Sequence, residues 1–279
     1  MKRRLFGLLQ IIRPVNVIIA MASVLLAVLI CNPHTRLRDV LLAMLVGGLV
    51  TSGANAINDY FDIEIDRINR PRRPLPAGLL SPSAARMVAF SLFALALALA
   101  AFLGPQSLLI VGVSVPLVYA YSAVFKTTAV WGNLIVGLIS GLAFIFGGTV
   151  AGNLKQAWMP FLFAFVINWA REIIKDIEDM PGDRQARAQT LPIRYGVPAA
   201  RRLIIALLTG LILLTGAPYL LDLYGRLYLL VVMTLVNPLL IAVLMELGRE
   251  LDSRRLRRMS LCLKAAMFSG LAAILAGQW

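Results

Sequence analysis

The sequence predicts an all-α polytopic membrane protein of about nine transmembrane helices, on three observations. Hydrophobic residues make up 59% of the chain and charged ones 15%, with a mean hydropathy of +0.82, too apolar for a domain that keeps its surface in water. The apolar residues fall into separate runs, each near the ~20 residues that a helix needs to cross a bilayer. Counted along those runs, all but four of the 27 Lys and Arg residues fall on one side of the membrane.

The runs lie near 14–31, 38–57, 84–103, 106–122, 130–151, 157–175, 200–221, 227–247 and 259–278. Ahead of the first, Met1 to Arg4 and Leu5 to Ile12 begin like a secretory signal but lack a small-residue cleavage site, so they are read as mature protein. Gly104-Pro105 separates the third run from the fourth, Gly152 follows the fifth and Pro198 precedes the seventh. Only Arg36, Arg38, Lys155 and Arg226 fall on the poorly charged side. The positive-inside rule places the N-terminus and the even-to-odd loops in the cytoplasm of a multi-pass cell-membrane protein. Gly277-Gln278-Trp279 then faces outward. Nine spans leave no length for a soluble domain, so 1–279 reads as a single transmembrane domain.

A net charge of +13 raises the question of nucleic acid, but the basic residues sit between apolar runs with no interleaved aromatic surface, which excludes it. Cys31 and Cys262 fall at or inside spans without metal-ligand spacing and read as packing residues. His34 lies in a short outward loop and carries no chemistry, and Arg254-Arg255-Leu256-Arg257-Arg258 reads as a lipid-headgroup patch. Gly47-Gly48, Gly137, Gly141 and Gly147-Gly148 read as helix-packing positions. No obligate protein partner is implied.

The chemistry is concentrated in two acidic stretches. In Asn58 to Pro74, residues Asn58, Asp62 and Asp66 stand at i, i+4 and i+8, so a helix continuing through them projects three oxygens from one face while Asp59 and Glu64 point elsewhere. Like charges so stacked destabilise a helix, and ionisable groups near a membrane are costly, unless a cation lies among them. Mg2+ takes carboxylate oxygens together with water and substrate phosphates. The second stretch, Arg171 to Asp183, carries Asp176, Asp179 and Asp183, the last two again at i, i+4. Pro181 and Gly182 predict a break there, which brings Asp183 in from a loop. Both stretches follow even-numbered spans, on the same side. Two carboxylate sets flanked by basic residues suit a diphosphate held by two magnesium ions. Arg72, Arg73 and Lys126 supply cations for direct phosphate contact.

On these residues the sequence resembles the UbiA-type intramembrane prenyltransferases. The first motif matches the family's N-D-x-x-D-x-x-x-D, continued by Asn69, Pro71, Arg73, Pro74, Leu75 and Pro76. Asp179 and Asp183 match its D-x-x-x-D, with Thr190-Leu191 downstream and Pro192 where many members have alanine. Tyr119, Tyr121, Ser122 and Lys126 resemble the loop between the fourth and fifth helices that meets the diphosphate. The resemblance implies a central cavity capped by cytoplasmic segments and open to lipid, with Mg2+ held by Asn58, Asp62, Asp66, Asp176, Asp179 and Asp183. Within the family, Arg171-Glu172-Ile173-Ile174-Lys175-Asp176-Ile177-Glu178-Asp179 with Gly182-Asp183 resembles the members that build ether lipids. That implies geranylgeranyl transfer from its diphosphate to the free hydroxyl of geranylgeranylglyceryl phosphate.

In that reading Asp176 or Glu172 accepts the proton of the hydroxyl. Arg13 and Asn16 contact the acceptor or a metal-bound phosphate. Tyr119, Tyr121, Phe144, Phe146 and Trp169 are candidate walls for a carbocation-like prenyl carbon. The alternatives are prenylation of an aromatic acceptor such as 4-hydroxybenzoate or a naphthoate, a cation-coupled transporter, and a cyclase or phosphatase acting on the diphosphate alone.

Overall fold

The computed structural model describes residues 2–277, and the side chains of all of these except 2–4, 68 and 69. In chain order the helices are α1 (Lys2–Ile12), α2 (Pro14–Cys31), α3 (Leu37–Phe61), α4 (Ile63–Asn69), α5 (Pro82–Ala101), α6 (Pro105–Ala123), α7 (Trp131–Val150), α8 (Leu154–Gln185), α9 (Leu191–Tyr195), α10 (Val197–Leu220), α11 (Arg226–Val231), α12 (Asn237–Leu247) and α13 (Ser253–Ala276). A 3-10 turn, Phe125–Thr127, precedes α7, and a π segment, Val232–Val236, joins α11 to α12. No strand occurs among the described residues. Among them nine helical stretches are long and apolar enough to cross a membrane, each overlapping one of the runs read from the sequence. The chain is an all-α multi-pass membrane protein.

It divides into two compact units, 1–125 with 142–158, and 126–141 with 159–279. In the first, α2, α5 and α6 pack on α3. Small residues make that possible: a Cβ on Gly53 would lie 2.5 Å from the Phe93 ring of α5, and one on Gly47 2.8 Å from Val24 of α2. Around these close approaches Val24, Val28, Val40, Ala43, Val46, Ala96, Ala100, Val111 and Phe146 form one buried cluster. Phe146 is therefore core of this unit, not a free wall.

In the second unit the first half of α7 lies on α8 through Gly137 and Gly141, where a Cβ would come within 2.8 Å of the Phe165 carbonyl and 2.7 Å of the Phe161 ring. A buried polar link holds α10 to α11 and α12: Tyr228 Oη donates to the Thr215 carbonyl at 2.8 Å, and Thr215 Oγ1 donates to Asn237 Oδ1 at 3.2 Å.

Three local expectations change. Residues 2–12, left unassigned by the apolar-run pattern, form α1, whose Leu5, Phe6 and Leu9 are exposed while Gly7 and Ile11 are buried. The second span does not pass smoothly through its acidic motif, because α3 ends at Phe61 and Asp62 forms a one-residue turn before α4. The loop predicted at Pro181-Gly182 is helix, since α8 runs to Gln185. Proline removes one N–H, but the next turn is held by Ala186 N donating to Gly182 O at 3.0 Å and Ala188 N to Asp183 O at 2.9 Å. Gln278 and Trp279, expected to face outward, lie outside the described residues.

Candidate functional site

In the first unit the turn at Asp62 keeps the hydrogen-bond ladder. Asp62 N donates to Asn58 O at 2.9 Å, Asp66 N to Asp62 O at 2.8 Å and Arg70 N to Asp66 O at 2.8 Å. Asp62 and Asp66 thus stay about one turn apart, both buried. Asn58 Nδ2 donates to Asp62 Oδ2 at 2.9 Å, and Arg73 Nη1 to Asp66 Oδ2 at 2.5 Å. Asp59, set aside in the sequence reading, is only 2% exposed and pairs with both Arg13 and Arg73, the latter at 3.2 Å. A buried carboxylate so placed needs its partners, because losing one leaves an uncompensated charge.

Local backbone delivers those partners. Arg13 stands between α1 and α2 at φ +53°, a left-handed conformation that non-glycine residues seldom adopt. The following Pro14 disfavours the helical region for Arg13. Asn55 of α3 donates to the Ile12 carbonyl at 2.8 Å, pinning the joint beside Asp59. After α4, Ala77 N donates to Arg73 O and Leu79 N to Pro74 O, both at 2.9 Å, and buried Leu75 and Leu80 anchor the loop that carries the arginines. Gln10, Arg13, Asp59 and Arg70 to Pro74 line a cavity of about 490 Å³. Asn16 is exposed and does not line it. Tyr119 packs edge-on to Phe61, with ring centroids 5.5 Å apart, next in sequence to Asp62, and Tyr121 is half-buried.

The second unit carries the other set on the last turns of α8. Asn133 of α7, which no sequence motif singles out, donates to Asp176 Oδ2 at 2.7 Å. Buried Thr190, the N-cap of α9, stands 3.5 Å from Asp183 Oδ2. The adjoining segment is tied to Lys126's turn by Gln189 N donating to Thr127 O at 2.8 Å. Asp179 is exposed, one turn before Asp183. Glu172 is buried between Lys175, at 2.8 Å, and Arg171, at 3.2 Å. Both of those cations stand on α8 itself, whereas the Asn133 amide reaches Asp176 from α7.

Every side chain in these sets that could meet a metal offers oxygen, the donor magnesium prefers. Among the described residues no three His, Cys, Asp or Glu side chains already surround one point. The residues fit a hard cation that is completed by water and phosphate, not an all-protein cage.

A model described as the UbiA prenyltransferase family matches residues 17–269. The digeranylgeranylglyceryl phosphate synthase of Methanopyrus kandleri is 37% identical over 268 residues, spanning 96% of this chain and 97% of that one. The synthase of the same name from Methanothermobacter thermautotrophicus is 39% identical over 275 residues, spanning 96% and 95%. A solved structure of a digeranylgeranylglyceryl phosphate synthase has a TM-score of 0.87 to this chain at 33% identity, covering 99% of both. The UbiA homolog from Archaeoglobus fulgidus solved with GPP and Mg2+ shares the fold, with a TM-score of 0.74 at 20% identity over 96% of this chain and 99% of that one. By motif, span pattern and full-length likeness, the chain belongs to the UbiA prenyltransferase family.

Proposed function

We propose that this prenyltransferase moves a geranylgeranyl group from its diphosphate to the hydroxyl of geranylgeranylglyceryl phosphate, at the cytoplasmic face of the cell membrane, with residues 1–279 acting as one catalytic domain. The carrying observation is the near full-length likeness to two synthases of that product, in a chain that bears both acidic sets.

Magnesium, when bound, neutralises the diphosphate and stabilises the charge that develops on the leaving group. Asn58, Asp62 and Asp66 of the first unit, and Asp179 and Asp183 of the second, are the residues that would hold it. Lys126 gives the diphosphate a point charge, and Tyr119 and Tyr121 offer ring faces near the allylic carbon. As the bond from the prenyl C1 to the diphosphate oxygen breaks, a bond forms from C1 to the acceptor oxygen, and the hydroxyl proton passes to Asp176. Asn133 orients that carboxylate through its 2.7 Å hydrogen bond. Glu172 is instead held by Lys175 and Arg171 of its own helix. The apolar spans keep water from the prenyl carbon, which limits hydrolysis.

The test incubates purified chain with labelled geranylgeranyl diphosphate, Mg2+ and separate acceptors: geranylgeranylglyceryl phosphate, 4-hydroxybenzoate and a naphthoate. The ether-lipid reading expects a joined product with the first alone and none after chelation by EDTA. A joined product with an aromatic acceptor only, or undiminished product in EDTA, would overturn it.

A further inference from the structure

We propose that the arginine-lined cavity of the first unit seats the phosphate of the acceptor, a phosphomonoester dianion, and not the diphosphate of the donor. The proposal rests on the ether-lipid reading above and assigns Arg13, Arg70 and Arg72, with Arg73 behind them, to that phosphate. Sequence spacing alone gave Arg72 and Arg73 to the donor; the cavity groups them with Arg13 and Arg70 instead.

Charge is the first argument. Four guanidiniums line the cavity against one carboxylate, Asp59. Asp59 is already shared by Arg13 and Arg73, while no carboxylate among the described residues pairs with Arg70 or Arg72. That surplus matches a dianion better than the single charge of an aromatic carboxylate, and arginine forks fit phosphate oxygens in pairs.

The lining is the second. It includes Asp59 but none of Asn58, Asp62 and Asp66, so the carboxylates assigned to magnesium do not face this space. Arg73 connects the two, touching Asp59 on one side and Asp66 on the other. A second anion bound here would lie beside the donor's metals without sharing them. The third argument is Gln10 Oε1, which is buried and finds no hydrogen-bond donor among the described residues, on the wall of the same cavity. A buried acceptor oxygen without a donor calls for an O–H or N–H from whatever fills the cavity, such as water that hydrates a bound phosphate. The volume, about 490 Å³, lies within the range of about 300–1,000 Å³ common for small-ligand pockets.

The test uses the full chain in phosphatidylcholine nanodiscs, with Arg70→Gln and Arg72→Gln. In turnover, the KM for geranylgeranylglyceryl phosphate should rise about tenfold or more in each variant, as expected for one lost charge-assisted hydrogen bond, with the larger change on that substrate and not on the diphosphate. In calorimetric titration without donor, glycerol phosphate should bind the wild-type chain and lose that affinity in both variants. A rise confined to the KM of the diphosphate, or unchanged glycerol phosphate binding in the variants, overturns the proposal. Equal affinity for inorganic phosphate would mark a free-phosphate site, and binding seen only when phosphatidic acid is added to the disc would mark a bilayer-headgroup site; either result overturns the acceptor assignment. Should the wild-type chain join no substrates at all, the ether-lipid reading fails on that result, and the titration still decides what the cavity binds.

Discussion

Asp59 and Asp62 are three residues apart and both buried, yet their surroundings give them different work. Asp59 is held by two arginines, whereas Asp62 accepts a hydrogen bond from the Asn58 amide one turn earlier. Asp59 thus fixes Arg13 and Arg73, while Asp62 stays the candidate for the metal. Asp62→Ala and Asp183→Ala should each lower turnover by about 100-fold or more, as loss of an electrostatic contact to the leaving group does, with detergent elution profile and helix content unchanged. Near-normal activity in either variant would remove that residue from the metal site. Buried Glu172 and half-buried Asp176 of α8 also differ in their partners. Asp176→Asn should cost about 10²-fold or more in kcat if it takes the hydroxyl proton, and Glu172→Gln should cost much less; the reverse ranking would transfer the proton to Glu172.

Among the elements, α3 carries the most. Its Gly47 and Gly48 let α2 come close and its Gly53 lets α5 come close, and the same helix then presents Asn55 and Asp59 to the joint at Arg13. Packing and site are thus coupled along one rod. Gly53→Val would drive a side chain into the Phe93 ring, and overpacking of this kind costs about 1–3 kcal/mol. A lower thermal midpoint in detergent is expected, and an unchanged midpoint would show that α5 yields freely. α8 makes a related point. Its Pro181 removes one hydrogen bond without ending the helix, so Asp179 and Asp183 remain one turn apart on a continuous rod and do not depend on a loop for their spacing.

Across the whole molecule, the basic residues and the chemistry lie on connections predicted to face the cytoplasm. With Cys31 and Cys262 replaced by serine, a cysteine at His34 should react with an impermeant thiol reagent from outside intact cells, and one at Arg184 only after permeabilisation; the opposite pattern would invert the topology. Arg257, 75% exposed at its side chain, pairs with Glu178 at 2.8 Å, and a surface pair of this kind is worth about 0–1 kcal/mol. Arg257→Ala should leave turnover close to wild type, and a large loss would bring the start of α13 into the site. The sequence by itself determined the helical class, the nine spans and the two oxygen-rich motifs, because span length, charge asymmetry and i, i+4 spacing are local and survive without knowledge of neighbours. It could not show that Asp59 clasps Arg13 across 46 positions, that Asn133 steadies Asp176, or that Arg70 and Gln10 share a cavity with Arg13. Those were decided by the tertiary structure alone, since a buried charge takes whatever partner packing brings within hydrogen-bond reach, and that partner leaves no periodic mark on the chain.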